Sequence, residues 1–539
     1  MQRLATLLFI ALFACSLTAC SRRESPVTIG NRDQILHRGN LSEPQDLDPH
    51  IVTGVTEFNI ISALLEGLVN EDPQDLHPIP GVAASWTNSP DGLRYTFHLR
   101  PEARWSNGDP VTAQDFLFSF QRILSPKMAA SYAYMLFVLE GAESFNRGKS
   151  TDFATVGAKA PDAHTLELTL NAPCPYLLAM LNHHSWFPVH PPTILKFGKL
   201  DELGTPWTKP GNFIGNGAFT LESWTPNDKI VVRKSSNYWD RAAYKLNEIH
   251  FYPIGDNNIE ENAFRAGQLH VTGTVPLDRI SAYQKNNPEL LHLVPYLGTY
   301  FYLFNVNRPP LNDVRVRQAL SMAVDRERLV RHVTLGGETP AYNFTPPGTA
   351  GYTARATFTA DLATARKLLA DAGFPGGHGF PQMEILYNNS EAHARIAQAI
   401  QQMWKESLGL EIMLVNMEWK VYVQQEVEQR YDIGRMGWVG DYIDPNSFLD
   451  IWITGGGNNR SGWSNKDYDR LIAEAGQTAD PAARYELLQQ AEEILVREMP
   501  IMPLYFYKSK ALIQPSVRGW HDNVLDHHPY KSVYLAPTP

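Results

Sequence analysis

Hydrophobic and polar positions alternate with a period of two in several short runs of the first half of the chain. Tyr95-Thr96-Phe97-His98-Leu99 is one such run. It follows Gly81 to Trp86 across the turn signal Pro90-Asp91-Gly92, so a hairpin is expected there. Thr165 to Leu170 also alternates, and Ile230-Val231-Val232-Arg233 predicts a half-buried strand. The stretch 160–300 is accordingly expected to be mostly strands. Asn107-Gly108-Asp109-Pro110 marks a further turn, and Thr112 with Asp115 forms a loose capping box. The helix it opens carries Phe116, Phe118 and Phe120 toward Leu124. From about residue 310 the period changes. Helices are predicted over 314–333 and over 362–372, the second closed by Gly373. Ser390 caps a helix to about 408, and Gly409 ends it before a strand over 410–415. Asp480-Pro481 supplies an N-cap and a first-turn proline for a helix to about 497. The sequence holds no internal repeat. The pattern is that of a mixed α/β protein with several lobes.

The N-terminus departs from this pattern. Arg3 precedes an apolar run from Leu4 to Ala14, a charged start and a core too short for a comfortable membrane span. The run ends in Leu17-Thr18-Ala19-Cys20, which resembles a bacterial lipobox. That resemblance implies a leader over 1–19 and an acylated Cys20, with 20–34 as a polar tether. Acyl chains contribute about 0.8 kcal/mol per buried methylene, so several of them anchor firmly. Of the three cysteines, only Cys174 would then remain as a thiol, which excludes an intramolecular disulfide. No later stretch reaches the length and apolarity of a membrane span.

With 539 residues the chain is too long for one core, so two or three domains are expected. A formal net charge of −10 argues against nucleic-acid binding, which needs a basic face. Motifs that would promise catalysis fail on inspection. Gly148-Lys149-Ser150 lacks the earlier glycine of a phosphate loop, because Glu143 stands there. Gly215-Asn216-Gly217 reads as a turn. Neither a G-x-S-x-G elbow nor an H-E-x-x-H helix occurs. His183-His184 and His527-His528 are adjacent residues, which point different ways on a regular element, so neither pair suggests a metal site. No enzyme activity, cofactor or metal is expected.

The stretch Arg435-Met436-Gly437-Trp438-Val439-Gly440-Asp441-Tyr442-Ile443-Asp444-Pro445 carries the candidate chemistry. A cation and an anion stand six residues apart with glycines between them. If extended, they lie on the order of 20 Å apart along the chain, less with a bend. That span suits a zwitterion such as a short peptide, and the glycines would let a ligand backbone approach. A surface loop with unrelated charges fits the same residues.

This segment resembles the W-x-x-D-Y-x-x-P region of the periplasmic oligopeptide-binding proteins, in the family 5 extracellular solute-binding group. The likeness runs along nearly the whole mature chain. It includes Glu43-Pro44-Gln45-Asp46-Leu47-Asp48-Pro49-His50, Leu65-Glu66-Gly67-Leu68 and Trp105-Ser106-Asn107-Gly108-Asp109-Pro110. Asn216-Gly217-Ala218-Phe219, Asn237-Tyr238-Trp239-Asp240, Leu386-Tyr387-Asn388 and Glu418-Trp419-Lys420 continue it.

The resemblance implies an α/β, two-lobed periplasmic binding protein fold of the class II type, with three domains and a ligand cleft between lobes. Domain I would comprise 35–78, 206–297 and 509–539, domain II 79–205, and domain III 298–508. By the same resemblance a peptide would lie as an added strand. Asp441 would take its ammonium, and the cationic groups Arg435 and His393 its carboxylate. Trp438 and Trp419 would line side-chain pockets. The backbone of Gly437, Trp438 and Val439, and of Leu68 beside Glu66, would supply strand-like hydrogen bonds, with Tyr132 nearby. The implied partners are short peptides and the membrane subunits of an ABC-type permease. The expected state is a monomer in the periplasm, tied to the membrane by lipid alone. Gly298 and Val439 stand where some members have cysteines, and Glu426-Val427 where some have a basic pair. Alternatives are a binder of the same fold for murein peptide, nickel chelate, haem or oligosaccharide, and, less favoured, a secreted hydrolase or an envelope scaffold.

Overall fold

The computed structural model describes residues 24–537. The expected leader over 1–19 and acylated Cys20 lie outside the described residues. The expected tether over 20–34 is corrected at its end. Ser25 accepts from the Thr28 amide and Pro26 stands in the first turn, so Pro26–Asp33 is an α-helix. Among the described residues no helix is long and apolar enough to cross a membrane.

Three larger sheets organise the chain. The first runs in the order Ile35–Gly39, Glu248–Tyr252, Lys229–Lys234, Phe219–Thr225, its first pair parallel and the others antiparallel. Lys229–Lys234 sits inside this sheet, so Ile230, Val231 and Val232 are all buried rather than alternating as expected. The second sheet is antiparallel: Ala83–Asn88, Arg94–Leu99, Thr165–Thr169, Ala158–Asp162. Its first two strands are the hairpin expected from sequence. The capping box of Thr112 and Asp115 opens the helix Ala113–Leu124, which buries Phe116 and Phe120.

The third sheet has six strands, in the order Thr339–Pro340, Ile501–Leu512, Leu291–Phe304, Ile433–Val439, Met383–Asn388, Ile412–Met417. A core of helices covers it, including Val314–Met322, Leu362–Asp371 and Glu391–Leu408. Trp404 is fully buried there and donates its ring N–H to the Leu320 carbonyl at 2.8 Å.

The stretch 160–300 is less strand-rich than its pattern suggested, for it also holds the helices Asn257–Arg265 and Ile280–Asn286 and long irregular connections. The helix expected over 314–333 is broken. Asp325 accepts from the Arg328 amide and starts a new turn. Buried Arg326 then donates to the carbonyls of Ser321 and Val324 that the break exposes.

Two strands span the expected boundaries at 297/298 and 508/509. Leu291–Phe304 and Ile501–Leu512 pair antiparallel, and their register shifts between Pro295 and Thr299. Those boundaries are therefore paired strands and not linkers. Cys174 is buried, and burial pushes its thiol up to about 12, so it stays protonated.

Candidate functional site

A cavity of about 420 Å³ lies between the lobes, within the range of ligand sites. One wall is the strand Ile433–Val439. On one side this strand is laddered to Leu291–Phe304 along its whole length. On the other it meets Met383–Asn388 only at Ile433 and Gly434. The amide of Gly440 donates to the Leu297 carbonyl at 2.8 Å. Bonded residues alternate in an antiparallel ladder, so Trp438 and Met436 also face that neighbour. The N–H and C=O of Gly437 and Val439 therefore point to the unpaired edge, which borders the cavity.

Asp441 follows this edge. Its amide donates to Ser447 Oγ at 2.7 Å, and Trp438 Nε1 donates to the Ser447 carbonyl at 2.7 Å, which fixes the turn. Asp444, two-pronged on buried Arg484 at 2.6 and 2.9 Å, holds the far side of the turn. Tyr132 Oη donates to Asp441 Oδ1 at 3.2 Å, and His183 Nε2 lies 3.5 Å from the same oxygen. Oδ2 is buried without a partner. Burial pushes the Asp441 carboxyl up to about 8, against the pull of the Tyr132 hydrogen bond and the His527 charge. Burial works against charge on His527 too, but its ion pair with Glu71 at 2.7 Å outweighs it and raises its basicity.

Arg435 stands at the opposite end of the edge. Its guanidinium lies 4.7 Å over the Tyr300 ring and donates to Tyr507 Oη at 2.9 Å. Its Nε is buried without a partner. His393, in the first turn of Glu391–Leu408, lines the same region with Nδ1 3.2 Å from Tyr300 Oη. Burial, and then the charge of Arg435, hold its imidazole far below its usual basicity. Both influences disfavour the cationic form that the resemblance implies for it.

The cavity thus brings together Asp441, Arg435, His393, Trp438, Trp419, Gly437, Val439 and Tyr132. Glu66 and Leu68 lie outside it. The Glu66 carboxylate is buried on Tyr238, Trp239 and Asn70, and its backbone is bound by Asn216. The Leu68 carbonyl accepts from the amides of Gly81 and Ala83. The space at Gly437 is also taken within the protein: a Cβ there would collide with Tyr507 Oη. At Gly440 it would fall 3.0 Å from Phe448. The Cβ positions of these glycines are thus taken by their own side-chain neighbours.

Sequence reasoning missed Tyr300, Tyr507, His183 and His527. His183 and His184 do not point apart: a tight turn from His184 to Trp186 brings their rings to 4.1 Å, and both line the cavity. Gly298 and Val439 are directly paired across the ladder. Glu426 is buried in an ion pair with Arg460 at 2.9 Å, so it does not act as a pocket charge. Among the described residues, Asp72, Asp75 and His77 could gather on a metal, but they sit on an exposed turn away from the cavity.

The profile of bacterial extracellular solute-binding proteins, family 5, middle region, matches residues 77–460. The chain is 38% identical to the periplasmic oligopeptide-binding protein OppA of Escherichia coli K12, over 98% of this chain and 97% of that one. Among solved structures, the murein tripeptide binding protein MppA of Escherichia coli superposes with a TM-score of 0.89 at 36% identity, covering 93% of this chain and 98% of that one. Haemophilus influenzae OppA, in complex with the peptide RPPGFSPFR, gives 0.87 at 33% identity, covering 93% and 99%. The unliganded open form of MppA gives only 0.63 at the same 36% identity, covering 93% and 97%. The lobes here therefore sit in a different mutual arrangement from that open form.

Proposed function

The chain belongs to the bacterial extracellular solute-binding proteins of family 5, and from that premise we propose that it captures short peptides and delivers them to an ABC-type import permease. The peptide lies as an added strand on the free edge of Ile433–Val439, its ammonium on Asp441 and its carboxylate on Arg435, with His393 donating a hydrogen bond for longer ligands. Main-chain pairing at Gly437 and Val439 is indifferent to side chains, as strand addition generally is.

The observation that carries this reading is the pair of buried, unpartnered polar atoms, Asp441 Oδ2 and Arg435 Nε, on two side chains that line one cavity at the two ends of an unpaired strand edge. A buried polar group without a partner is costly, and a zwitterion of the right length would supply a partner to both side chains at once. The capture would take place in the periplasm, the protein held to the membrane through Cys20 if the lipobox is cleaved as its resemblance implies. The peptide ligands named for OppA of Haemophilus influenzae and for MppA support the assignment of ligand class.

The test is calorimetric titration of the chain from Ser21 onward with tri- and tetrapeptides, each free and N-acetylated, after removal of co-purified ligand by partial unfolding. Free peptides are expected to bind, and acetylation or Asp441→Ala to weaken them by about a hundredfold or more, as deletion of one buried partner costs ~3–5 kcal/mol. Equal binding of free and acetylated peptides would overturn the assignment of Asp441. Absence of binding by any peptide would overturn the ligand class.

A further inference from the structure

The charges on the cavity wall do not balance once a zwitterion is placed between Asp441 and Arg435. Arg38, Arg435, Lys508 and Lys510 line it, together with His527, which is paired with Glu71 at 2.7 Å. Lys510 is taken by buried Glu338. Arg38 donates to Tyr530 Oη at 2.8 Å and to Asn59 Oδ1 at 3.0 Å. The remaining lining carboxylate, Asp526, is held by His528 at 3.0 Å and by Ser509 at 2.9 Å. Lys508 has no such partner. It is half-buried, makes no hydrogen bond or ion pair among the described residues, and places its ammonium beside the backbone of Gly337.

Lys508 lies opposite Pro295, at the edge of the register shift between the two long strands. It follows Tyr507, the residue that holds Arg435. Lys510, two positions on along the same strand, is anchored by Glu338 and closes off the neighbouring space. A cation in a cleft with low-dielectric walls acts on a ligand far more strongly than one in bulk water.

Resting on the peptide reading above, we propose that Lys508 receives a second carboxylate of the ligand, so that the site selects peptides bearing an acidic side chain over their neutral isosteres. The ligand class is a short peptide with one net negative charge, its extra carboxylate paired with the Lys508 ammonium while its termini occupy Asp441 and Arg435.

The experiment compares Ala-Glu-Ala with Ala-Gln-Ala, and Ala-Ala-Glu with Ala-Ala-Gln, by calorimetric titration of the wild-type chain and of Lys508→Gln. Glutamate and glutamine differ in charge but hardly in shape, so their affinity ratio isolates the carboxylate. In the wild type, glutamate is expected to win by roughly tenfold or more at one position at least, the scale of a close charge pair in a desolvated site. In Lys508→Gln the ratio should fall to near one. A wild-type ratio near one at both positions, or a preference that survives in Lys508→Gln, overturns the proposal while leaving the peptide reading intact. Failure of all four peptides to bind overturns both.

Discussion

Burial lifts the Asp441 carboxyl from an ordinary 3.8 to about 8. Between those values the unfolded chain has lost the proton while the folded chain keeps it. Stability from this group is therefore full below about 4, falls as pH rises through that window, and is gone above about 8. Asp441→Asn keeps the shape and removes the titration. In the ligand-free protein its stability relative to wild type should climb between pH 5 and pH 9, by an amount on the order of a few kcal/mol. Chemical denaturation at the two pH values measures this, and a difference that is flat with pH would contradict it. The same variant is expected to lose peptide affinity.

At the level of the element, the strand Ile433–Val439 works because it has one laddered side and one free side. Gly437 controls how Tyr507 sits against it. Gly437→Ala pushes the Tyr507 hydroxyl away, breaks its bond with Arg435, and should weaken peptide binding by about tenfold, the scale of one hydrogen bond to a charged group. Adding Tyr507→Phe removes the clashing oxygen. Little further loss in the double variant than in Tyr507→Phe alone would show that the two act through one contact; additive losses, read by the same titration, would show that they do not.

Much of this strand is readable in the sequence. The spacing from Arg435 to Asp441, with the resemblance around Trp438, is enough to put both charges on one segment. Regular helices and hairpins are legible wherever caps and turns are local, as at Thr112 and Asp480. What stays hidden is brought in from far along the chain. Tyr507 reaches Arg435 across 72 residues, and Tyr132 reaches Asp441 across 309. Nothing local marks such partners. The lowered basicity of His393 is equally invisible, because it follows from burial beside Arg435 and not from its own neighbours in sequence.

For the whole molecule, the surroundings of Asp441 are gathered from distant parts of the chain. Tyr132 and His183 lie 3.2 and 3.5 Å from its Oδ1, and Tyr176 stacks on Tyr442 at 5.0 Å. The weaker superposition on the open form of MppA fits a cleft that closes around its ligand. Solution X-ray scattering should show the radius of gyration of the ligand-free chain shrinking on addition of a free tripeptide, and remaining unchanged with its N-acetylated form. Compaction by both would separate closure from recognition of the amine.

The paired strands Leu291–Phe304 and Ile501–Leu512 have a consequence in terms of gene architecture. Thr299 stands opposite Phe506, so everything between them leaves and re-enters the rest of the protein at neighbouring positions on one ladder. The segment behaves as a cassette whose two ends are already joined side by side. Replacing it by a short turn would leave the remaining strands in register, and exchanging it for the same segment of a relative would carry over Asp441, Arg435 and His393 as one heritable block, while Lys508, at the seam, could stay with the host or travel with the graft.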